Sequence, residues 1–131
     1  MKKVYFLSDV HLGSRGIQHG RTQERRLVSF LDSIKDKASA LYLLGDIFDF
    51  WYEFKTVVPK GYTRFLGKIS ELTDSGVEVH FFIGNHDIWC GDYFEKECGM
   101  ERRLRSVSRW LGTIENSLRS ISRSPLNCSC R

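Results

Sequence analysis

Residues 40–46 read ALYLLGD, five apolar side chains followed by a glycine and an aspartate. An apolar run of this length is too short for a typical helix and indicates a strand buried in a sheet. Two other segments have the same form, residues 4–7 (VYFL) and residues 77–83 (VEVHFFI), and each is also followed by a short polar segment. The sequence therefore predicts three buried strands.

Two segments between these strands have the apolar spacing of amphipathic helices. Residues 23–37 and residues 62–75 each place apolar side chains three and four positions apart, and Gly76 stands where a glycine commonly follows a helix. The order strand, helix, strand, helix, strand predicts an α/β fold with a parallel sheet. The apolar strands indicate that both faces of this sheet are covered.

The composition fits one modest globular domain. The chain has 131 residues, of which 41% are hydrophobic and 27% charged, and this excludes a disordered chain. No apolar run approaches the roughly 20 residues that span a bilayer, and the first run is too short for a signal peptide, so we expect a cytoplasmic protein. The four cysteines form no CxxC pair, which disfavours a zinc ribbon and predicts reduced thiols.

Polar side chains follow each predicted strand at its carboxyl end, where ligands bind in parallel sheets. Carboxylate, amide and imidazole groups together suit a divalent ion such as Mn²⁺, Fe²⁺ or Zn²⁺, and two such ions can clamp a phosphate group. The residues concerned are Asp9 and His11 after the first strand, Asp46 and Asp49 after the second, and Asn85, His86 and Asp87 after the third.

These three segments resemble the first three motifs of the calcineurin-like metallophosphoesterases. Their order, their spacing and their position at strand ends all agree with that family. The resemblance implies a two-sheet α/β sandwich, of which this chain supplies a βαβαβ half. It also implies that Asp9 and His11 bind a first metal ion, that Asp46 bridges two ions, and that Asn85 binds the second ion and touches phosphate.

The resemblance also implies roles in catalysis for the third motif. His86 is expected to stabilise or protonate the leaving group, Asn85 to stabilise the developing charge, and Asp87 to orient His86 through a hydrogen bond. Asp49 is expected to support its loop rather than to bind metal.

Within that family, the chain most resembles the bacterial UDP-2,3-diacylglucosamine diphosphatases of lipid A synthesis. Residues 6–13, 44–51 and 84–94 carry this resemblance, which covers about residues 3–100. It implies a nucleotide-lipid substrate, UDP-diacylglucosamine, that is hydrolysed to UMP and 2,3-diacylglucosamine 1-phosphate with two Mn²⁺ ions (or Fe or Zn). It further implies a place on the cytoplasmic face of the inner membrane, and no nucleic-acid partner is expected. Many members of that group have arginine where this chain has His86.

Charge and motif content both change near residue 100. Residues 1–100 carry a net charge of −1, whereas residues 101–131 carry +5 and contain seven Ser and seven Arg. The family's later motifs supply three further histidine ligands, but this chain has no histidine after His86. We therefore predict the N-terminal part of a metallophosphoesterase domain over 1–100, truncated near residue 100 and impaired in activity. The predicted tail over 101–131 is basic and either out of frame or helical over about 104–122.

Two alternatives remain open at this point. The first is another calcineurin-like phosphodiesterase or phosphatase, which acts on nucleotides or phosphoproteins. The second is a non-catalytic binding module that uses its basic tail on a membrane or a nucleic acid.

Overall fold

A computed structural model describes residues 1–15 and 20–103 of the chain. In chain order its elements are β1 (Lys3–Leu7), α1 (Gly20–Ile34), β2 (Ala38–Leu43), α2 (Thr63–Asp74), β3 (Glu78–Phe82), α3 (Tyr93–Cys98) and β4 (Glu101–Arg103).

The four strands form one parallel sheet in the order β1-β2-β3-β4. In the register of the first three strands, Leu7 lies beside Leu43, and Leu43 lies beside Phe81. Each strand is therefore added on the same side of the strand before it. Right-handed crossovers that always advance in one direction place their helices on one face of the sheet, and α1, α2 and α3 pack side by side in this way.

The helices form because apolar side chains recur on one face of each. In α1 the buried side chains Leu27, Leu31 and Ile34 are four and three residues apart. In α2 the buried set is Phe65, Leu66, Ile69 and Leu72. Gly76 follows α2 with a φ of 85°, a left-handed conformation that glycine adopts without a steric cost and that commonly terminates a helix.

The core lies between the helices and one face of the sheet. Leu41, Leu43, Val79 and Phe81 point into it from the strands. On the opposite face, the side chains of Val4 and Phe6 are 48% and 50% exposed. On that same face, His80 and Phe82 of β3 are only 6% and 1% exposed. The expectation that both faces of the sheet are covered therefore holds at β3 but is wrong at β1.

The three predicted strands and two predicted helices are confirmed, with shifts of a few residues at their ends. α3 and β4 were not predicted, because they have only six and three residues and are too short to show a periodic pattern. β4 pairs with β3, so the sheet extends three residues past the expected break at residue 100. The predicted helix over 104–122 lies outside the described residues. In the described ranges, no helix is long and apolar enough to cross a membrane.

Candidate metal centre

The loops after β1 and β2 run side by side and are joined by backbone hydrogen bonds. The N–H of His11 donates to the carbonyl oxygen of Asp46 at 3.0 Å, and the N–H of Leu12 donates to that of Ile47 at 2.9 Å. The N–H of Asp9 donates to the carbonyl oxygen of Gly45 at 3.3 Å. This pairing continues beyond the strands and brings the first two motifs together.

Three of the predicted metal ligands have left-handed backbone conformations. The φ angles are 53° at Asp9, 47° at His11 and 52° at Asp46. Such angles are uncommon for residues with a side chain and cost of order 1–3 kcal/mol each. Their concentration at one sheet edge makes this edge the candidate functional site, because strain of this kind persists where the surrounding structure holds a side chain in a required direction.

A close approach of two glycines brings the third motif against the second. A Cβ atom on Gly45 would lie 3.0 Å from the Cα of Gly84. A Cβ atom on Gly84 would overlap both the backbone nitrogen and the carboxylate of Asp46. Glycine is therefore required at residue 84 for the two loops to pack at this distance.

Asp46 and Asp87 hold the third loop in place with their carboxylates. The N–H of His86 donates to Oδ1 of Asp46 at 2.9 Å. Asp87 has no solvent exposure, and its two oxygens accept the N–H groups of Ile47 at 3.0 Å and Gly84 at 2.7 Å. Burial raises the pKa of Asp87, although the backbone hydrogen bonds act in the opposite direction.

The predicted hydrogen bond from Asp87 to His86 is wrong. The Asp87 oxygens are directed at backbone N–H groups, while Nδ1 of His86 lies 2.9 Å from the carbonyl oxygen of Asp49. Because a carbonyl oxygen can only accept, Nδ1 carries the proton in this arrangement. The other ring nitrogen, Nε2, is then left to face an external group.

Two groups of potential metal ligands converge at this edge. The carboxylates of Asp9 and Asp46 form one group with His11, and the carboxylate of Asp49 forms the other with His11 and His86; the ligand atoms within each group lie within 4.8 Å of one another. Nδ1 of His11 is 3.4 Å from Oδ1 of Asp49. Oxygen and imidazole donors at such separations fit a divalent transition metal or Zn²⁺.

Asn85 and Asp49 differ in the contacts that their side chains make. Asn85 is exposed at the same sheet edge, and no hydrogen bond within the described part of the chain holds its amide. Asp49, which the sequence analysis assigned to loop support, contributes its carboxylate to the second ligand group as well as its carbonyl to His86. Its position three residues after Asp46 is the only sequence signal that could have identified it.

The chain is similar in sequence to curated proteins of bacteria. The chain is 52% identical over 106 residues to a UDP-2,3-diacylglucosamine hydrolase of Porphyromonas gingivalis, a match that covers 81% of this chain and 40% of the relative. It is 37% identical over 100 residues to a protein of the same name from Neisseria meningitidis serogroup A, covering 76% and 40%. The chain thus spans about two fifths of the length of these curated relatives.

A solved structure also resembles the chain, namely the nuclease MPE of Pseudomonas putida. The TM-score is 0.48 with 19% sequence identity, and the match covers 75% of this chain and 46% of the nuclease. Residues 2–125 match the family profile of the calcineurin-like phosphoesterases. With that match over most of its length, this chain belongs to the calcineurin-like phosphoesterase family.

Proposed function

We propose that the chain carries the metal-binding half of a hydrolase that cleaves the pyrophosphate bond of UDP-2,3-diacylglucosamine. Addition of one water molecule across that bond gives UMP and 2,3-diacylglucosamine 1-phosphate. The observation that carries the proposal is the convergence of Asp9, His11 and Asp46 on one sheet edge. The names of the two relatives support the choice of substrate.

The family implies a divalent metal, and the donor set at the sheet edge fits one. Asp9 and His11 would hold a first ion, Asp46 would reach both ions, and Asn85 would reach the second. Two divalent ions supply Lewis acid polarisation of the phosphate oxygens and activate a water molecule at neutral pH. We propose Mn²⁺ as the ion, since carboxylate, amide and imidazole ligands suit it.

We propose that His86 acts on the leaving group. Its side chain is 41% exposed, and its Nδ1 is held by the carbonyl oxygen of Asp49. The protonated ring would present the Nε2 proton to the oxygen of the departing phosphate, and this assistance contributes typically 10²–10⁴-fold in rate. Asp87 is a positioning residue here, because it acts on the loop that contains His86.

Titration calorimetry of the full chain with Mn²⁺ tests the metal site. We expect Asp46→Asn to weaken Mn²⁺ binding at least tenfold, because it removes a charged ligand shared between two ions. Asp74→Asn, at the end of α2 and before the start of β3, lies at the opposite edge of the sheet from the three motifs; it is the matched control and should leave the affinity unchanged. Equal binding by the wild type and Asp46→Asn would contradict the proposed role of Asp46.

An assay of UMP release tests the substrate. We expect the chain to release UMP slowly from UDP-2,3-diacylglucosamine, and not from UDP-N-acetylglucosamine, which lacks the long acyl chains. Equal release from both compounds would point instead to a phosphoesterase that does not recognise acyl chains.

A patch of exposed apolar side chains lies beside the third motif and supports a membrane-facing role. Its members are Phe50, Tyr52, Phe54, Val57, Ile88 and Trp89, each at least 45% exposed. Trp89 contacts the rings of Phe50 and Tyr52 at centroid distances of 6.2 and 6.4 Å, and the ammonium group of Lys55 lies over the ring of Phe54. Aromatic rings with an adjacent lysine suit the interface of an anionic bilayer.

We propose that this apolar patch rests on the cytoplasmic face of the inner membrane. Sedimentation with phosphatidylglycerol vesicles tests this placement. Phe54→Ser should reduce the bound fraction severalfold, whereas Phe6→Ser, which removes a similarly exposed ring from the sheet face, should not. Equal sedimentation of the two variants would contradict the proposed patch.

A further inference from the structure

A cavity lies between the first residues of α1 and the first residues of α2. It is next to the sheet edge that carries the candidate metal ligands Asp9, His11 and Asp46, which we call the metal edge. Its volume is about 290 Å³, and the described residues lining it include Arg21, Glu24, Lys60, Tyr62 and Arg64. Ligand pockets typically enclose about 300–1,000 Å³. This cavity is therefore of a size for a phosphate-bearing group rather than for a whole nucleotide-lipid.

Glu24 is the acidic residue among the described lining residues, and its carboxylate is already paired with groups of the protein itself. It is 6% exposed, and its Oε1 accepts the N–H groups of Arg64 at 3.0 Å and Phe65 at 3.1 Å. Its Oε2 lies 3.9 Å from Nη1 of Arg64. The amide groups at the start of α2 are thereby occupied by a side chain of the protein itself, so they are not available for a ligand.

The cations of the cavity outnumber this single acid. Arg21, Lys60 and Arg64 all line it, and in the described ranges neither Arg21 nor Lys60 forms an ion pair with an acidic side chain. Uncompensated cations around a concave surface raise the local concentration of anions. Arginine adds a planar group that can hold two phosphate oxygens at once, and lysine adds a compact charge.

Tyr62 connects this cavity to the metal edge. Its ring packs on Phe48 with a centroid distance of 5.0 Å, and its hydroxyl oxygen lies against Gly13, two residues after His11. Burial and the nearby charge of Asp49 raise the pKa of Tyr62, so the hydroxyl keeps its proton at neutral pH. It can therefore donate a hydrogen bond to an anion in the cavity.

We infer that the cavity lined by Arg21, Lys60 and Arg64 is a second anion site, which binds a phosphate or diphosphate group without a metal ion. The site goes beyond the proposed hydrolysis, because its cations are independent of the ligands at the metal edge. The phosphate could belong to a nucleotide or be a free inorganic anion, and both have the same chemistry at the cavity.

Titration calorimetry of the full chain with pyrophosphate, in EDTA and 150 mM salt, tests the site. EDTA removes the divalent ions on which phosphate binding at the metal edge depends, so failure here is distinguishable from failure of the metal proposal. We expect saturable binding that Arg21→Glu and Lys60→Glu each weaken at least tenfold. Lys37→Glu makes the same charge change at an exposed residue outside the cavity and should change the affinity less than twofold.

Two results would overturn the inference. One is an absence of saturable binding by the wild type, and the other is an equal loss of affinity in all three variants, which would indicate a general charge effect. A competition with UMP then identifies the source of the phosphate. Displacement of pyrophosphate by UMP supports a nucleotide phosphate at this site, whereas binding that UMP does not disturb supports an inorganic anion.

Discussion

The carboxylate of Asp87 joins the second and third loops, so its removal should loosen the whole sheet edge. Asp87→Ala deletes two hydrogen bonds from backbone N–H groups to a fully buried charged acceptor, at 3.0 Å from Ile47 and 2.7 Å from Gly84. Hydrogen bonds to a charged group contribute about 1.5–3 kcal/mol each. The variant no longer has to bury a carboxylate, and this partly offsets the loss. Burial of the carboxylate is the main reason that the pKa of Asp87 is raised. We therefore expect the free energy of unfolding to fall by about 2–4 kcal/mol.

Urea denaturation followed by tryptophan fluorescence measures this loss. Small domains are typically stable by about 5–15 kcal/mol, so the variant should still fold and give a complete transition. Asp36→Ala removes an exposed aspartate and should change the free energy of unfolding by less than about 0.5 kcal/mol. If Asp87→Ala unfolds at the same urea concentration as the wild type, the carboxylate does not hold these loops together.

Four further substitutions or treatments have expected outcomes. Gly84→Ala places a Cβ atom on Asp46, so calorimetry should show at least tenfold weaker Mn²⁺ binding. Gly67→Ala, where a Cβ atom meets nothing, should instead stabilise α2 by about 0.5–1 kcal/mol and keep the affinity. Burial raises the pKa of Cys90 from 9.0 to about 12, so its alkylation by iodoacetamide at pH 8, followed by peptide mapping, should be about a thousandfold slower than in urea. Hydrogen bonds from two lysines lower the pKa of Glu71 from 4.5 to about 2; the stability that they provide is present above pH 4.5 and is lost as the pH falls towards 2, and acid titration of Glu71→Gln should lack this component.

The sequence predicts the sheet well because buried strands appear as apolar runs, and buried helix faces appear as apolar residues three and four positions apart. Residues 40–44 are apolar, and β2 is the strand that lies between β1 and β3. The helical faces of α1 and α2 are visible in the same way. A six-residue helix and a three-residue strand leave no such pattern, and they form here through contacts with α2 and β3 that are already in place.

The convergence of the candidate metal ligands also follows from the sequence, because parallel strands bring their carboxyl ends to one edge. The finer geometry does not. The left-handed conformations at Asp9, His11 and Asp46 turn the side chains in directions that no periodicity records. The family resemblance likewise predicted a hydrogen bond from Asp87 to His86, whereas the folded loop directs the Asp87 carboxylate to the backbone N–H groups of Ile47 and Gly84.

The strand order has a consequence for synthesis on the ribosome. Each strand pairs with the strand translated just before it, so the sheet can grow at one edge while the rest of the chain is still being made. The three loops that carry the candidate metal ligands form in the same order as the strands. A nascent chain that has not yet extruded Gly84 has Asp9, His11 and Asp46 but lacks the N–H of His86 that Asp46 accepts. The site therefore matures in the direction of translation, and the third loop is the last of its three parts to arrive.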